Sequence, residues 1–291
     1  MRFENLHRHC LPIAVMIVAA LYGCGSSGEV LSSGFSGGGR VTETESVTRT
    51  VDAAAAARLV AQTVNGRISL RATDGDEVTV EAVKKVEAPN RSLAEDFLQD
   101  IEVTVERRND QVVAFATHPN PPRNVGVTVR FDIIAPADLA AELSSVNGAI
   151  HVADMEREVV ARTTNGLVDV KGACGPIEAR TANGQISADV AELRGEGRFA
   201  TVNGSLDVTV RDGEMPITAS AVNGAVAVAI PGGFSGRLDA RTATGRANSD
   251  FPVTASVTQR KNRIVGAIGA GGRPVITLRS TNGDVWLRKA D

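Results

Sequence analysis

Aromatic side chains are scarce in this sequence. They make up 3% of its residues, with one tryptophan and one tyrosine, whereas glycine occurs 29 times. Aromatic rings usually dominate the energetics of a large core, so small and β-branched side chains have to fill the interior here. This composition favours a narrow all-β core.

Net charge and the usual catalytic residues are also scarce. The 31 basic residues nearly balance the 34 acidic ones, which argues against a nucleic-acid partner because such partners require basic surfaces. The three cysteines and four histidines do not form a paired metal-ligand pattern, and the sequence has no G-x-S-x-G, H-E-x-x-H or P-loop motif. We therefore predict no catalytic residue, no metal site and no cofactor.

The N-terminus has the features of an export signal. Arg2 and Arg8 precede an apolar run that ends at Leu21, and this run is shorter than the ~20 residues of a transmembrane helix. The segment from Leu21 to Cys24 resembles a bacterial lipobox, which implies cleavage after Gly23 and a lipid on the Cys24 sulfur. An ordinary signal peptide with an incidental cysteine and an uncleaved anchor are the alternatives.

Residues 25–39 are rich in glycine and serine, which is typical of a flexible tether. Beyond Cys24, only Cys174 remains, so the exported domain cannot contain an intrachain disulfide. We predict a lipid-anchored protein of the bacterial cell envelope. Because Gly25 stands where an aspartate would favour inner-membrane retention, the outer membrane is favoured if the host has one.

An Asn-Gly dipeptide recurs in one sequence frame, and Thr244 replaces the asparagine in one copy. The copies are marked by Gly66, Gly148, Gly166, Gly184, Gly204, Gly224, Gly245 and Gly283. The middle copies are about 20 residues apart. The last spacing is close to two units, which predicts one further copy that has lost its marker.

Apolar residues alternate with polar ones on both sides of each dipeptide. The positions seven and five before the glycine, and two and four after it, are mostly apolar. A period of two on both sides of a turn indicates two short strands per unit, each with one buried face. Threonine or serine stands three before the glycine in every copy except one, which has Ala221.

Two architectures fit these units. Asn-Gly can form a two-residue hairpin turn, which would give an antiparallel meander. Alternatively, it can form the corner of a single-stranded parallel β-solenoid, and we favour this β-helix-like fold because identical frames stack like residues over one another. The corner residues predicted to line one edge are Asn147, Gly148, Asn165, Gly166, Asn183, Gly184, Asn203, Gly204, Asn223 and Gly224. At Gly184 we expect a positive φ.

The region before the regular repeats has longer strand patterns. These lie at 77–86, 101–107, 111–117 and 125–134, with a short helix at 92–100 that has Ser92 as its N-cap and Glu95 at the capping-box position. We expect an α+β elaboration that caps the repeats. The predicted divisions are a signal peptide at 1–23, the lipidated cysteine and tether at 24–40, the capping region at 41–143 and the solenoid at 144–291, with 41–291 as one continuous domain.

The repeated T-x-N-G-x-I-x-V units, the glycine-rich stretch from Val265 to Gly271 and the final T-N-G-D-V-x-L-R-K segment resemble the bacterial "putative adhesin" family of cell-envelope proteins. The resemblance covers about residues 50–289. It implies a parallel β-helix-like fold and a location outside the cytoplasm. The family has no established catalytic residues to transfer.

Arg162 and Arg180 occupy one outward position of neighbouring units, where they could bind an anionic glycan or a lipopolysaccharide phosphate. The alternative is a solvated face whose arginines pair with acids such as Glu178. A carbohydrate-active enzyme would need a carboxylate pair, but Asp169 and Asp207 should lie about 10 Å apart. We predict a non-enzymatic surface lipoprotein that binds an envelope glycan or another surface protein. An envelope-stress sensor or scaffold is a further alternative.

Overall fold

The computed structural model describes residues 28–30, 34–36, 39–254 and 261–290. Within these ranges the chain is all-β except for one nine-residue helix. No helix in the described part of the chain has the length and apolar character needed to cross a membrane. The lipobox cysteine Cys24 lies outside the described residues.

The elements fall into three successive groups. The N-terminal group comprises β1 (Gly28–Val30), β2 (Gly34–Ser36), β3 (Arg40–Asp52), β4 (Arg58–Asn65), β5 (Ile68–Thr73), β6 (Glu77–Ala88), α1 (Arg91–Gln99), β7 (Glu102–Arg108), β8 (Gln111–Thr117) and β9 (Gly126–Pro136). The middle group comprises β10 (Ala140–Asn147), β11 (Ile150–Ala153), β12 (Val159–Asn165), β13 (Val168–Cys174), β14 (Ile177–Asn183), β15 (Ile186–Glu192), β16 (Gly197–Asn203), β17 (Leu206–Val210), β18 (Ile217–Asn223) and β19 (Val226–Pro231). The C-terminal group comprises β20 (Gly236–Thr242), β21 (Ala247–Ser249), β22 (Val253–Thr254), β23 (Arg263–Ile268), β24 (Val275–Asn282) and β25 (Val285–Ala290).

These strands form two large mixed sheets. Sheet A has the order β1-β3-β6-β9-β5-β11-β13-β15-β17-β19-β25-β21, with β2 also paired to β3. Sheet B has the order β22-β23-β20-β24-β18-β16-β14-β12-β10-β4-β8-β7. Buried apolar residues from both sheets form one core cluster.

Each Asn-Gly repeat contributes one strand to each sheet. Equivalent strands of neighbouring repeats pair in parallel and in register, so that Asn165 is opposite Asn183 and Val168 is opposite Ile186. The strands before and after an Asn-Gly dipeptide therefore lie in different sheets, and the hairpin interpretation of these dipeptides is wrong. The predicted alternation of buried and outward residues is confirmed in both sheets.

The N-terminal region extends sheet A with antiparallel strands. β3 pairs with β6 and β6 with β9, before β9 pairs in parallel with β5. The strand predicted at Gln111–Thr117 is confirmed, and it pairs in parallel with β4. Two short strands within the Gly/Ser-rich segment, Gly28–Val30 and Gly34–Ser36, pair with β3.

The helix α1 begins one residue earlier than predicted. Asn90 caps it, because its side-chain oxygen accepts a hydrogen bond from the Leu93 backbone N–H at 2.9 Å. The assignment of Ser92 as the N-cap is therefore wrong, and Glu95 accepts a hydrogen bond from Arg91 instead of forming a capping box. The apolar side of the helix, including Ala94 and Leu98, packs into the core.

The last repeat does not stack in sequence order. β24 lies between β18 and β20, and β25 lies between β19 and β21. The unit around Gly245 therefore lies one position beyond the next place in the stack, and β23 pairs antiparallel with β20 of that unit. The later strand β24 occupies the intervening position and pairs in parallel with β20. The prediction of a copy without a marker is wrong for the described part of the long spacing before Gly283, which contains the antiparallel pair β22 and β23 instead.

In one row of buried residues on sheet B, a large side chain compensates for a glycine. Gly197 occupies the place held by Ile177 and Ile217 in the neighbouring repeats. A Cβ added at Gly197 would lie 3.1 Å from the ring of Phe199, which is fully buried two residues later. The ring therefore fills the volume that the missing side chain leaves.

At each Asn-Gly corner the backbones of neighbouring repeats are in direct contact. A Cβ added at Gly184 would lie 2.0 Å from the carbonyl oxygen of Gly166, and one at Gly224 would lie 1.9 Å from that of Gly204. Gly184 does not adopt the positive φ that we expected. Close approach of the next backbone, and not a left-handed conformation, is what requires glycine there.

Two sets of side-chain hydrogen bonds run along this corner. The asparagine side chains donate to one another from repeat to repeat, as from Asn183 to Asn165 at 2.8 Å. Two residues before the asparagine, buried hydroxyls donate to the glycine carbonyl of the preceding repeat, as from Thr201 to Gly184 at 3.0 Å. Ala221 stands between Thr201 and Ser280 in register and has no hydroxyl for the carbonyl of Gly204.

We expect Gly184→Val to lower the free energy of unfolding by about 3 kcal/mol, because the new side chain overlaps the Gly166 backbone. Urea unfolding followed by circular dichroism measures the change. Gly232→Val is the matched control, since a Cβ at Gly232 has no atom within 4 Å and the unfolding midpoint should hardly move. Equal losses in both variants would contradict the close-contact explanation.

We expect Ala221→Thr to raise the free energy of unfolding by about 0.5–1.5 kcal/mol, because the hydroxyl would complete the row of bonds to glycine carbonyls. Ala221→Val adds a similar volume without the hydroxyl. A gain in the valine variant equal to that in the threonine variant would show that packing, and not the hydrogen bond, is responsible.

Candidate functional site

The outer face of sheet B carries the arginines that the sequence singled out. Arg162 and Arg180 are opposite one another on β12 and β14. Both contact the same carboxylate oxygen of Glu178, at 2.6 Å from Arg162 Nη2 and 3.1 Å from Arg180 Nε, and Arg162 also lies 3.4 Å from Glu142. We call these four residues the arginine cluster.

The arginine cluster has no net formal charge. Its guanidinium groups remain accessible, with the side chains 46% exposed at Arg162 and 55% exposed at Arg180. Each retains N–H groups that an external anion could accept from, but Glu178 competes with that anion for both arginines. The proposed anion site thus stays a prediction.

A second arginine pair arises from the displaced last repeat. Arg279 and Arg241 are opposite one another on β24 and β20. Arg241 donates two hydrogen bonds to Asp239, and Arg279 lies 3.9 Å from the same carboxylate. The repeat frame predicts one outward column for both residues, but with a further copy between them, so it did not predict that they are direct neighbours.

The outer face of sheet A carries acidic residues in one row. Asp169, Ser187 and Asp207 are in register on β13, β15 and β17, so the two carboxylates are separated by two strand spacings, or about 10 Å. Asp169 lies 3.2 Å from Lys171 and 3.6 Å from His151, whereas Asp207 is exposed and forms no ion pair with another described residue.

Asp189, on the same face, is paired with an arginine. Arg211 donates two hydrogen bonds to its carboxylate, at 2.8 and 2.7 Å. The pKa of Asp189 is lowered, chiefly by the hydrogen bonds from Arg211; burial opposes this lowering, and the positive charges of Arg211 and Lys171 add to it. The stability that this pair contributes is therefore present at neutral pH and is lost as the pH falls through the lowered pKa.

His151 lies in an open depression of about 500 Å³ that the sequence did not predict. Parallel pairing places His151 between Ser69 on β5 and Asp169 on β13. Both residues are distant from His151 in the sequence. The distance of 3.6 Å between His151 Nδ1 and Asp169 Oδ2 exceeds a hydrogen bond. The three residues thus share a row without the contacts that activate a serine nucleophile.

The remaining candidates from the sequence are dispersed. Cys174 is a free, half-buried thiol on β13, and the half-buried His118 lies within hydrogen-bond distance of the carbonyl of Pro119. Among the described residues, no three His, Cys, Asp or Glu side chains are grouped closely enough to hold a metal ion.

No family model matches the sequence, and no curated protein sequence does. Solved structures that resemble the fold include a putative cell adhesion protein from Clostridium sporogenes, with a TM-score of 0.37, 10% identity, and coverage of 85% of this chain and 100% of that one. A putative adhesin from Bacteroides fragilis has a TM-score of 0.37 and 14% identity, with coverage of 84% and 97%. A putative lipid binding protein from Parabacteroides distasonis has a TM-score of 0.28 and 10% identity, with coverage of 84% and 97%. Structures similar to this chain thus include proteins described as putative adhesins, the family that its Asn-Gly repeats resemble.

Proposed function

We propose that this protein is a non-enzymatic, lipid-anchored binding protein of the bacterial cell envelope. Its repeats form a parallel β-solenoid whose outward columns place the side chains of successive repeats at regular intervals. The observation that carries the proposal is the in-register parallel pairing of equivalent strands, which places outward residues of successive repeats side by side on two broad faces.

The solenoid interpretation rests on the connection between the two sheets. From β10 to β19 the chain alternates between sheet B and sheet A, so each repeat forms one turn around the common core. In this interpretation residues 41–143 cap one end of the stack, where α1 packs against β3 and β6. The displaced last repeat and β23 would close the other end.

The separation and the pairing of the carboxylates on sheet A favour a binding role over hydrolysis. Asp169 and Asp207 lie about two strand spacings apart on an open sheet, and Asp169 is already paired with Lys171. A glycosidase needs one protonated and one ionised carboxyl group that face a single bond. Extended faces of paired charges are better suited to recognition than to acid–base chemistry.

Anchoring is tested by Cys24→Ala in the native host. We expect the variant to be processed poorly or to leave the membrane fraction, because the sulfur that would receive the lipid is absent. Fractionation followed by mass spectrometry of the mature N-terminus is the measurement, and Cys174→Ala is the control. Normal cleavage and unchanged membrane partitioning of the Cys24 variant would contradict the lipoprotein assignment.

Binding by the arginine cluster is tested with heparin as a polyanionic probe. Charge reversal at Arg162 and Arg180 together should weaken binding at least about tenfold, and Glu178→Gln should strengthen it because both arginines lose their internal partner. Raised salt should weaken the interaction.

Arg211→Glu provides the matched control for this experiment, since Arg211 also pairs with an acid but directly follows β17 of sheet A. Heparin affinity that is insensitive to both arginines and to Glu178 would show that the cluster is only a solvated, self-paired face.

A further inference from the structure

The ends of the two sheets differ in the length of their terminal strands. Among the described residues, sheet A ends at β1 and β2 on one side and at β21 on the other, and sheet B ends at β22 and β7. The strand β7 has seven residues, whereas the other four have two or three. Proteins usually keep edge strands short because their unpaired N–H and C=O groups can pair with another chain. The length of β7 is therefore unusual for an edge.

The hairpin between β7 and β8 determines which backbone groups of β7 point away from β8. Its loop has two residues, and Arg108 and Gln111 are opposite one another at its base. In a two-residue hairpin this closing pair is hydrogen-bonded, and hydrogen-bonded pairs alternate with non-hydrogen-bonded ones along the ladder. The N–H and C=O groups of Val103, Val105 and Arg107 therefore point towards the free side of β7, where no described strand pairs with them.

The inward side chains of β7 are incompletely covered. Val103 and Val105 pack against the core but are only half-buried, whereas Ala114, opposite Val105 on β8, is buried. The strand β3 contacts β7 without pairing with it. A further strand on the free side of β7 would remove more of the apolar surface of both valines from water, which favours association.

The sequence of β7 is complementary to itself when two copies run antiparallel. Because the free-edge groups of both copies have to face each other, the register can change only in steps of two residues. With Val105 opposite its own copy, Glu102 is opposite Arg108 at both ends of the ladder. A shift by one step in either direction places Glu102 opposite Glu106, or Glu106 opposite its own copy. Like charges directly opposite one another are unfavourable, so the charges select the register centred on Val105.

We propose that the free edge of β7 pairs with β7 of a second copy of this chain, so that sheet B continues across a two-fold axis. The axis passes beside Val105, and Val103 and Arg107 exchange backbone hydrogen bonds on either side of it. Glu102 is exposed and forms no ion pair with another described residue, so its carboxylate is available to Arg108 of the second copy.

A second copy is favoured over a strand of another protein because the copy itself supplies the complementary order of charges. The inference goes beyond the proposed function. The dimer requires neither the lipid anchor nor the arginine cluster, which lies on β10, β12 and β14.

Disulfide cross-linking tests the position of the two-fold axis. The full-length chain with Cys174→Ala and Val105→Cys, purified in detergent and treated with a mild oxidant, should form a covalent dimer on non-reducing electrophoresis. The two Cα atoms of a hydrogen-bonded pair lie about 5.5 Å apart, which a disulfide can bridge. Val103→Cys is the matched control, because this half-buried valine lies on the same side of β7 but its two copies would be more than about 10 Å apart.

Exchange of charges tests the register. Arg108→Glu should raise the dissociation constant of the dimer at least about tenfold, because two attractive pairs become repulsive. Adding Glu102→Arg should restore dimerisation, since the order of charges is then reversed in both copies. Arg194→Glu is the control, because Arg194 pairs with the acid two residues before it, as Arg108 does, but lies outside β7. Sedimentation equilibrium measures the dissociation constants.

Thermal unfolding of every variant checks that the fold is retained. A full-length chain that sediments as a monomer, equal cross-linking of the two cysteine variants, or a dimer that is insensitive to Arg108→Glu would overturn the inference. Each of these results would leave the proposed function standing, because a single copy already presents both outer faces of the repeats.

Discussion

Backbone contact at the Asn-Gly corner sets the geometry of the whole stack. Parallel hydrogen bonding fixes the distance between neighbouring repeats at about 4.8 Å, and at the corner the glycine of one repeat lies against the carbonyl of the glycine before it. A side chain at that position would push the repeats apart. The buried hydroxyls and the asparagine side chains can bond from repeat to repeat only because this spacing is kept.

Regular spacing converts a sequence repeat into rows of neighbouring side chains. Residues that are about 20 positions apart become adjacent, so the pairing of charges across repeats decides which outward groups remain available. Arg162 and Arg180 share one internal carboxylate, and Arg288 lies over the ring of Trp286, whereas Asp207 forms no ion pair with another described residue. The availability of a group for a ligand thus depends on its neighbours in adjacent strands more than on its own type.

The position of the last repeat, between β18 and β20 and between β19 and β21, changes which side chains are neighbours on both sheets. On sheet B it brings Arg279 beside Arg241, and on sheet A it brings Trp286 beside Ala227. It also makes β25 an internal strand, because β21 pairs with Val285, Trp286 and Leu287 along its outer edge. The same displacement places Trp286 beside Asp250, whose carboxylate accepts a hydrogen bond from the indole N–H.

The sequence alone determined the strand alternation, the two strands per repeat and the inward columns, because a period of two and a fixed frame are local properties of the chain. It did not determine the order of stacking after Gly224 or the helix cap at Asn90, and it misattributed the need for glycine at Gly184 to backbone conformation. The cap at Asn90 is a local contact, and it was missed because Asn90 and Ser92 are both favourable N-cap residues. The stacking order and the requirement at Gly184 depend on which backbone lies alongside. Only the tertiary structure decided them, because pairing between strands is a long-range choice that the pattern within one repeat does not encode.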